Sequence, residues 1–199
     1  MKDFPEIILA SRSPRRADLL RQMNIKFTVK TKEVNENSDK VDDPEAFVKE
    51  ISLRKAEAVA DEISSGLIIA ADTIVYLKGE ILGKPKTKEE AKKMLSKLSG
   101  NTHEVYTGFT LLSHEKGIFQ DVEKTRVTFR ILEDWEIDAY VATGSPMDKA
   151  GAYGIQDQSG FFVERIEGCF FNVVGFPITK FYQGLRQLVD HELIKKHLF

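Results

Sequence analysis

The sequence predicts an α/β protein with a mixed sheet and flanking helices, and three observations carry that prediction. The apolar run Ile7 to Ala10 passes directly into Ser13-Pro14 and then into Ala17, Leu20 and Met23 at helical spacing, which is a strand, a tight turn and a helix. A long β-rich run, Leu67 to Leu77, lies between two helical segments. Thr125, Val127, Phe129 and Ile131 alternate with Arg126, Thr128 and Arg130, the two-residue period of a strand with one wet face.

Taken in order, Ser13 can cap the first helix and Pro14 suits its first position. Phe27 to Thr31 reads as a short strand, and Asn35 to Lys40 has the composition of a mobile loop. Asp43-Pro44-Glu45 opens a second helix with Phe47, Ile51, Ala58 and Ile63 as its apolar stripe, running to about residue 64 and ended by Ser65-Gly66. After the long strand, Lys78-Gly79-Glu80 turns the chain into Ile81-Leu82. Thr87-Lys88-Glu89-Glu90 is a capping box for a helix with Ala91, Met94, Leu95 and Leu98 on one face, closed by Gly100. Residues 103–113 and 118–132 read as strands joined across Glu115-Lys116-Gly117. A short helix from Asp134, with Trp135, Ile137, Tyr140 and Val141, stops at Gly144, and a glycine-dotted stretch to Gln156 resembles an active-site loop. Strands near 160–166 and 170–174 follow, then Gly175-Phe176-Pro177 and a final helix with Phe181, Leu185 and Leu188.

A chain of 199 residues with 42% hydrophobic and 30% charged residues suits one compact domain or two tightly packed lobes and excludes a disordered chain. A formal net charge of −2 provides no overall positive field for a nucleic-acid backbone, so an anionic ligand must be held locally. No apolar run reaches membrane length, and Ile7 to Ala10 is too short for a secretory core. The single cysteine, Cys169, can form neither an internal disulfide nor a four-cysteine zinc site, and the expectation is a buried, inert thiol in a reducing, cytoplasmic setting. His103, His114, His191 and His197 show no zinc-hydrolase spacing, and neither a GxSxG elbow nor a Walker A loop is present.

Several residues carry chemistry that ordinary surface or core roles could also explain. Ser11-Arg12-Ser13-Pro14-Arg15-Arg16 crowds guanidinium groups at a helix N-terminus, where free N–H groups and the dipole favour an anion; solvated arginines beside an ordinary cap are the alternative. Asp72 interrupts an apolar strand, so it is a buried salt bridge, a solvent-face residue or a functional carboxylate. Lys55 lies on a charge-rich helix, Lys84 between Gly83 and Pro85 in a constrained turn, and Glu33 at the end of a strand. The loop around Asp148, Lys149, Gly151, Gly154 and Gln156 offers a carboxylate, an ammonium and an amide. Gln156 has the donor and acceptor to read a pyrimidine edge, or it is a plain loop residue.

Together these segments resemble the Maf family of nucleoside triphosphate pyrophosphatases. The likeness rests on Ser11-Arg12-Ser13-Pro14-Arg15-Arg16, Ala70-Ala71-Asp72-Thr73, Leu82-Gly83-Lys84-Pro85, Asp148-Lys149-Ala150-Gly151-Ala152-Tyr153-Gly154-Ile155-Gln156 and Asn172-Val173-Val174-Gly175. Five ordered motifs span the chain from about Ile7 to the final helix. Ser145 stands where the family often has glutamate, and Phe176 where leucine is frequent.

The resemblance implies a single domain over residues 1–199, an inosine triphosphatase-like fold of two lobes around a cleft, and cleavage between the α- and β-phosphates with a divalent cation, Mg²⁺, Mn²⁺ or Co²⁺. It makes Asp72 the proton acceptor and places Ser11, Arg15, Arg16, Lys55 and Lys84 around the phosphates. Glu33 joins the catalytic or metal site with Asp72, and Lys149 is a further substrate-binding candidate. Arg15, Thr73 and Gln156 occupy the specificity positions in the combination of the branch that hydrolyses dTTP and UTP, with modified pyrimidine nucleotides as further candidates. The family is also associated with septum formation and division arrest, and dimers are common in it, so a homodimer is open. Two rivals follow: a purine-directed house-cleaning pyrophosphatase, and a regulatory nucleotide-binding module without turnover. No nucleic-acid or membrane partner is expected.

Overall fold

The computed structural model describes residues 4–36 and 43–199; the part of the expected mobile loop at 37–40 lies outside the described residues. Seven strands form one sheet in the order β2-β1-β3-β5-β6-β7, with β4 paired to β3. They are β1 (Ile7–Leu9), β2 (Thr28–Val29), β3 (Leu67–Leu77), β4 (Glu80–Leu82), β5 (Thr102–Ser113), β6 (Gly117–Phe129) and β7 (Val163–Glu167). The helices are α1 (Pro14–Gln22), α2 (Pro44–Ala60), α3 (Lys88–Leu98), α4 (Asp134–Ala142), α5 (Phe170–Val174), α6 (Ile178–Leu188) and α7 (His191–Leu198). β1 runs parallel to both β2 and β3, while β4 is antiparallel to β3 and β7 to β6, so the sheet is mixed as the sequence predicts. None of the helices among the described residues is long and apolar enough to cross a membrane.

The chain divides into two compact units. The first comprises Met1–Asp72, Thr107–Glu123 and Gly175–Phe199. Within it β1 is buried along its whole length, as a central parallel strand must be. Its register sets Ile7 against Leu67, Ile8 against Ile68 and Leu9 against Ile69. Helix α2 starts where Asp43 accepts hydrogen bonds from the N–H groups of Glu45 and Ala46, at 3.0 and 3.1 Å. It lays Ala56 and Val59 on Ile8, Ala10, Ile68 and Ala70. Its buried stripe is Val48, Ile51, Ser52, Ala56 and Val59. Phe47 and Ala58, expected on that stripe, are only half-buried, and the helix ends at Ala60 rather than near 64, although Ile63 still packs on the same core. The sheet selects the face, and a helix whose apolar residues occur all round its circumference leaves that choice to tertiary contact.

The second unit, Thr73–Tyr106 with Lys124–Val174, has its own core. Ala91, Leu95 and Leu98 of α3 and Ile137, Tyr140 and Val141 of α4 pack with Val75, Leu77, Val105, Val127, Phe129 and Phe162. Thr87 caps α3 as expected, accepting from the Glu90 N–H at 3.2 Å. The Glu90 carboxylate reaches back one residue further than the capping box requires, to the Lys86 N–H at 2.6 Å. Thr125, Val127 and Phe129 do point into the core, but β6 ends at Phe129, and Ile131 is exposed beyond it, as is Trp135 on α4.

The segment 170–174, expected as a strand, is the helical turn α5. Side-chain bonds override its aromatic and β-branched, strand-favouring composition. The Thr125 Oγ1 accepts from the Cys169 N–H and donates to the Cys169 carbonyl, both at 3.1 Å, and the Asn172 amide donates to the Val105 carbonyl and to Thr125 Oγ1, both at 2.9 Å. Cys169 itself is half-buried rather than buried. Helix α7 was not legible as separate from α6; Asp190 divides them by accepting from the Glu192 N–H at 2.9 Å.

Gly108, on β5, has no room for a side chain, since a Cβ there would lie 2.5 Å from the Val48 carbonyl group and 2.6 Å from the Lys49 nitrogen. Both are backbone atoms of α2, so they cannot rotate away. Gly108→Ala is expected to lower the free energy of unfolding by about 1–3 kcal/mol, read as a lower urea midpoint at unchanged slope.

Candidate active site

In the first unit, the parallel register of β1 and β3 continues through the Ala10 N–H, which donates to the Ile69 carbonyl at 2.8 Å. Ser11 therefore emerges just past the carboxyl end of β1 while β3 runs on beside it to Asp72, the edge where open α/β sheets bind ligands. Ser13 caps α1 without a side-chain bond; its N–H instead donates to Ser11 Oγ at 3.2 Å. Arg16, in the first turn of α1, points inward. Its Nη1 donates to Ser11 Oγ at 3.0 Å and its Nε to the Gly175 carbonyl at 2.8 Å. Burial lowers the pKa of this guanidinium from its ordinary value; Asp72 opposes the shift, Arg15 adds to it and Glu36 opposes it. Ser11, Arg15, Arg16 and Asp72 thus belong to one electrostatic cluster.

Lys55 completes that cluster. It projects from α2 beside the buried Ser52 and Ala56, and its ammonium sits 2.7 Å from Asp72 Oδ1 and 2.8 Å from Glu36 Oε1. The Lys55 and Asp72 side chains are 15% and 13% exposed. Of the readings open for Asp72, the solvent face is ruled out. A carboxylate and an ammonium this deep satisfy each other, and removal of either would leave a buried charge without its partner.

Glu33 is placed differently. Its side chain is 85% exposed and pairs with Arg12 at 3.3 Å, so the carboxylate expected at the catalytic or metal site meets an arginine at the surface instead. Glu36, which nothing in the sequence marks out, is the carboxylate that meets Lys55. Among the described residues no three of His, Cys, Asp and Glu gather as a metal centre. Asp72 and Glu36, converging on one ammonium, do provide the hard oxygen donors suited to Mg²⁺ or Mn²⁺, in a set that substrate phosphates and water would complete.

In the second unit, Thr73 is half-buried on β3, and Lys84 is exposed just after β4. The Gly83 carbonyl accepts from the Gly151 N–H at 3.0 Å, which ties the Lys84 turn to the glycine-dotted loop. Gly151 has φ +67°, and a Cβ on it would lie 2.9 Å from the Val75 side chain, so this approach needs glycine. Gln156 is exposed at the tip of a turn closed by the Asp157 N–H donating to the Gly154 carbonyl at 2.9 Å. Lys149 faces inward, with its ammonium 2.6 Å from the Ser145 carbonyl and 2.7 Å from Asp148.

Beneath this loop lies His103, which the sequence marked only by its lack of zinc-site spacing. Its Nε2 is 2.8 Å from the Tyr153 hydroxyl, and its ring meets Phe129 and Tyr153 edge-on at 5.1 and 5.3 Å. Burial pushes its pKa down to about 4.

The family model for Maf-like proteins matches residues 6–188. The chain belongs to this family. This Maf-like protein is 48% identical over 184 residues to a dTTP/UTP pyrophosphatase of Geobacillus sp. (strain WCH70), covering 92% of this chain and 98% of that one. It is 48% identical over 183 residues to one of Carboxydothermus hydrogenoformans, again covering 92% and 98%. It is 45% identical over 183 residues to one of Clostridium perfringens, covering 90% and 95%. Among solved structures, the Staphylococcus aureus Ham1 protein aligns with a TM-score of 0.46 and 17% identity over 62% of this chain and 71% of that one.

Because His103 is buried neutral with a pKa near 4, against 6.5 when free, the unfolded chain binds its proton first as pH falls. The stabilisation is complete above pH 6.5, declines between 6.5 and about 4, and is flat below. The loss expected is about 3 kcal/mol. Urea titrations across that range should show the decline, and His103→Gln should remove it; an unchanged pH dependence in the variant would refute the assignment.

Proposed function

We propose that this Maf-like protein is a nucleoside triphosphate pyrophosphatase that hydrolyses dTTP and UTP, and modified pyrimidine relatives of these, to the monophosphate and pyrophosphate. The observation that carries the reading is the buried Asp72–Lys55 pair beside Arg16 and Ser11 at the carboxyl end of β1. The dTTP/UTP pyrophosphatases that resemble the chain over nearly its full length support the substrate class.

Triphosphate cleavage needs charge neutralisation and in-line positioning more than covalent chemistry. Asp72 accepts a proton from a water whose oxygen attacks the α-phosphorus. The bond from that phosphorus to the bridging oxygen breaks, and pyrophosphate departs with its electron pair. Lys55 and Arg16 place positive charge beside Asp72 and offer donors to the phosphates, and Ser11, Arg15 and Lys84 add donors and positive charge for the leaving group. A divalent cation held by Asp72 with Glu36 would supply further neutralisation of the triphosphate. Glu33 joins that site only by giving up Arg12. Thr73 and Gln156 read the base. Residues 1–199 act as one catalytic domain, and the single cysteine suits a cytoplasmic setting.

Pyrophosphate release should be followed over dTTP, UTP, CTP, GTP and 7-methyl-GTP with Mg²⁺, Mn²⁺ or EDTA, with the monophosphate identified by chromatography. Metal-dependent formation of dTMP and UMP is the expected result; preference for a guanine nucleotide would transfer the chain to the purine-directed reading, and tight binding without turnover to the regulatory one. Asp72→Asn should lower kcat by about 10²–10⁴-fold, and wild-type turnover in that variant would remove its role as base. Gln156→Ala should raise KM for UTP and dTTP by about tenfold with little change in kcat, the loss of a single reading contact.

A further inference from the structure

Gln156 can discriminate bases only if its amide is held at a fixed place, because a flexible glutamine satisfies donors and acceptors in many arrangements. Ala152 and Tyr153 anchor the start of the loop in the core, but Gln156 itself lies beyond that anchor and is exposed. Its rigidity comes from its neighbour. The Asp157 carboxylate receives the Tyr140 hydroxyl from α4 at 3.1 and 3.2 Å, the Ser145 hydroxyl at 2.7 Å, and the Ser159 N–H at 2.9 Å. The Lys149 ammonium stands 3.5 Å away.

Ser159 extends the lock. Its hydroxyl accepts from the Gly154 N–H at 2.9 Å and lies 2.8 Å from both the Gly154 carbonyl and Asp157, so its one proton serves one of them at a time. Gly154 and Asp157 are the two ends of the turn that presents Gln156. On its other side the turn rests against the Lys149 stem, since a Cβ on Gly154 would sit 2.6 Å from Lys149 Cε. The Lys149 side chain is only 12% exposed, and its charge is used within the loop, on Ser145, Asp148 and Asp157.

We infer that Asp157 is a positioning residue for base selection: its carboxylate joins α4, the 144–149 segment and the 154–160 segment, and thereby fixes the turn that holds Gln156. Lys149 then serves as the strut of that turn rather than as a contact to substrate. The inference rests on the reading of Gln156 as the base-reading group. Asp157 donates nothing to the phosphates, so its loss should act on discrimination and not on the chemical step.

The test compares Asp157→Asn, Gln156→Ala and the double variant in the kcat/KM ratio of UTP to GTP, with thermal melts establishing that each is folded. Asp157→Asn keeps the shape but turns an acceptor into an NH2 group facing donors. The expected result is a fall of about tenfold in the ratio, carried by KM for UTP with kcat within about threefold, and a double variant no worse than Gln156→Ala alone. A generally loosened structure would instead lower kcat for every nucleotide alike, which would overturn the inference. So would a wild-type ratio in Asp157→Asn alongside a lost preference in Gln156→Ala. If Gln156→Ala itself keeps the wild-type ratio, the base-reading assignment fails first and this inference with it. Should Asp157→Asn not fold, Ser145→Ala removes one donor and should lower the ratio by about threefold; an unchanged ratio there overturns the proposal.

Discussion

The contact on which the candidate site depends is the 2.7 Å pair between Lys55 and Asp72. A carboxylate in the middle of an otherwise apolar strand is tolerated only because an ammonium from α2 meets it, and the ammonium is tolerated in turn because Asp72 and Glu36 both accept from it. The packing of α2 follows the same requirement. Its small residue Ala56 and the glycine at 108 let the helix approach closely, and the helix brings Lys55 to the depth at which Asp72 lies. Arg16, pinned by Ser11 and the Gly175 carbonyl, extends the cluster with a second buried cation. Stability and site geometry converge here, since the contact that satisfies the Asp72 carboxylate also gathers positive charge around it.

The second unit solves a different problem. The loop that carries Gln156 is exposed at its tip and fixed at its foot. The foot is polar on one side, where Asp157 gathers hydroxyls from Tyr140 and Ser145, and aromatic on the other, where His103 and Tyr153 pack with Phe129. Two consecutive residues with positive φ, Gly151 and Ala152, carry the chain between them. Such a backbone persists only where its surroundings over-determine it, and the bond from Gly151 to the Gly83 carbonyl is one of those constraints.

Much of the fold was legible because local signals and global demands agreed. The Asp43 cap, the start of α3 at Thr87, β3 from Leu67 to Leu77 and the helix beginning at Asp134 are all where residue types and periodicity put them. Disagreement arose where a distant side chain decided. Phe170 to Val174 has strand composition, yet Thr125 and Asn172 hold it as a helical turn. Ile131 keeps the alternation of β6 after the strand has ended, because alternation records which face a residue would occupy and not where pairing stops. In the site, the motifs located Ser11, Arg16 and Asp72, and the family resemblance added Lys55, which the structure does bring together with them, whereas Glu33 went to Arg12 and Glu36 took the place at Lys55. No spacing rule could have chosen between two glutamates three residues apart on an irregular segment. Asp157 had a signal that went unused, for an aspartate two residues before a serine favours a turn in which its carboxylate takes the serine N–H.

By itself, then, the sequence determined the alternation of helices and strands, the family and the set of charged residues from which a phosphate site is made, because these depend on residue type and order. Only the tertiary structure decided which charges meet. Coulomb interactions act through space over a few ångströms, and whether Asp72 is exposed, metal-bound or paired with Lys55 is set by how α2 packs on β3. The same holds for the loop at 144–160, where the importance of Asp157 lies in Tyr140 and Ser145 reaching it, a fact of folding rather than of spacing.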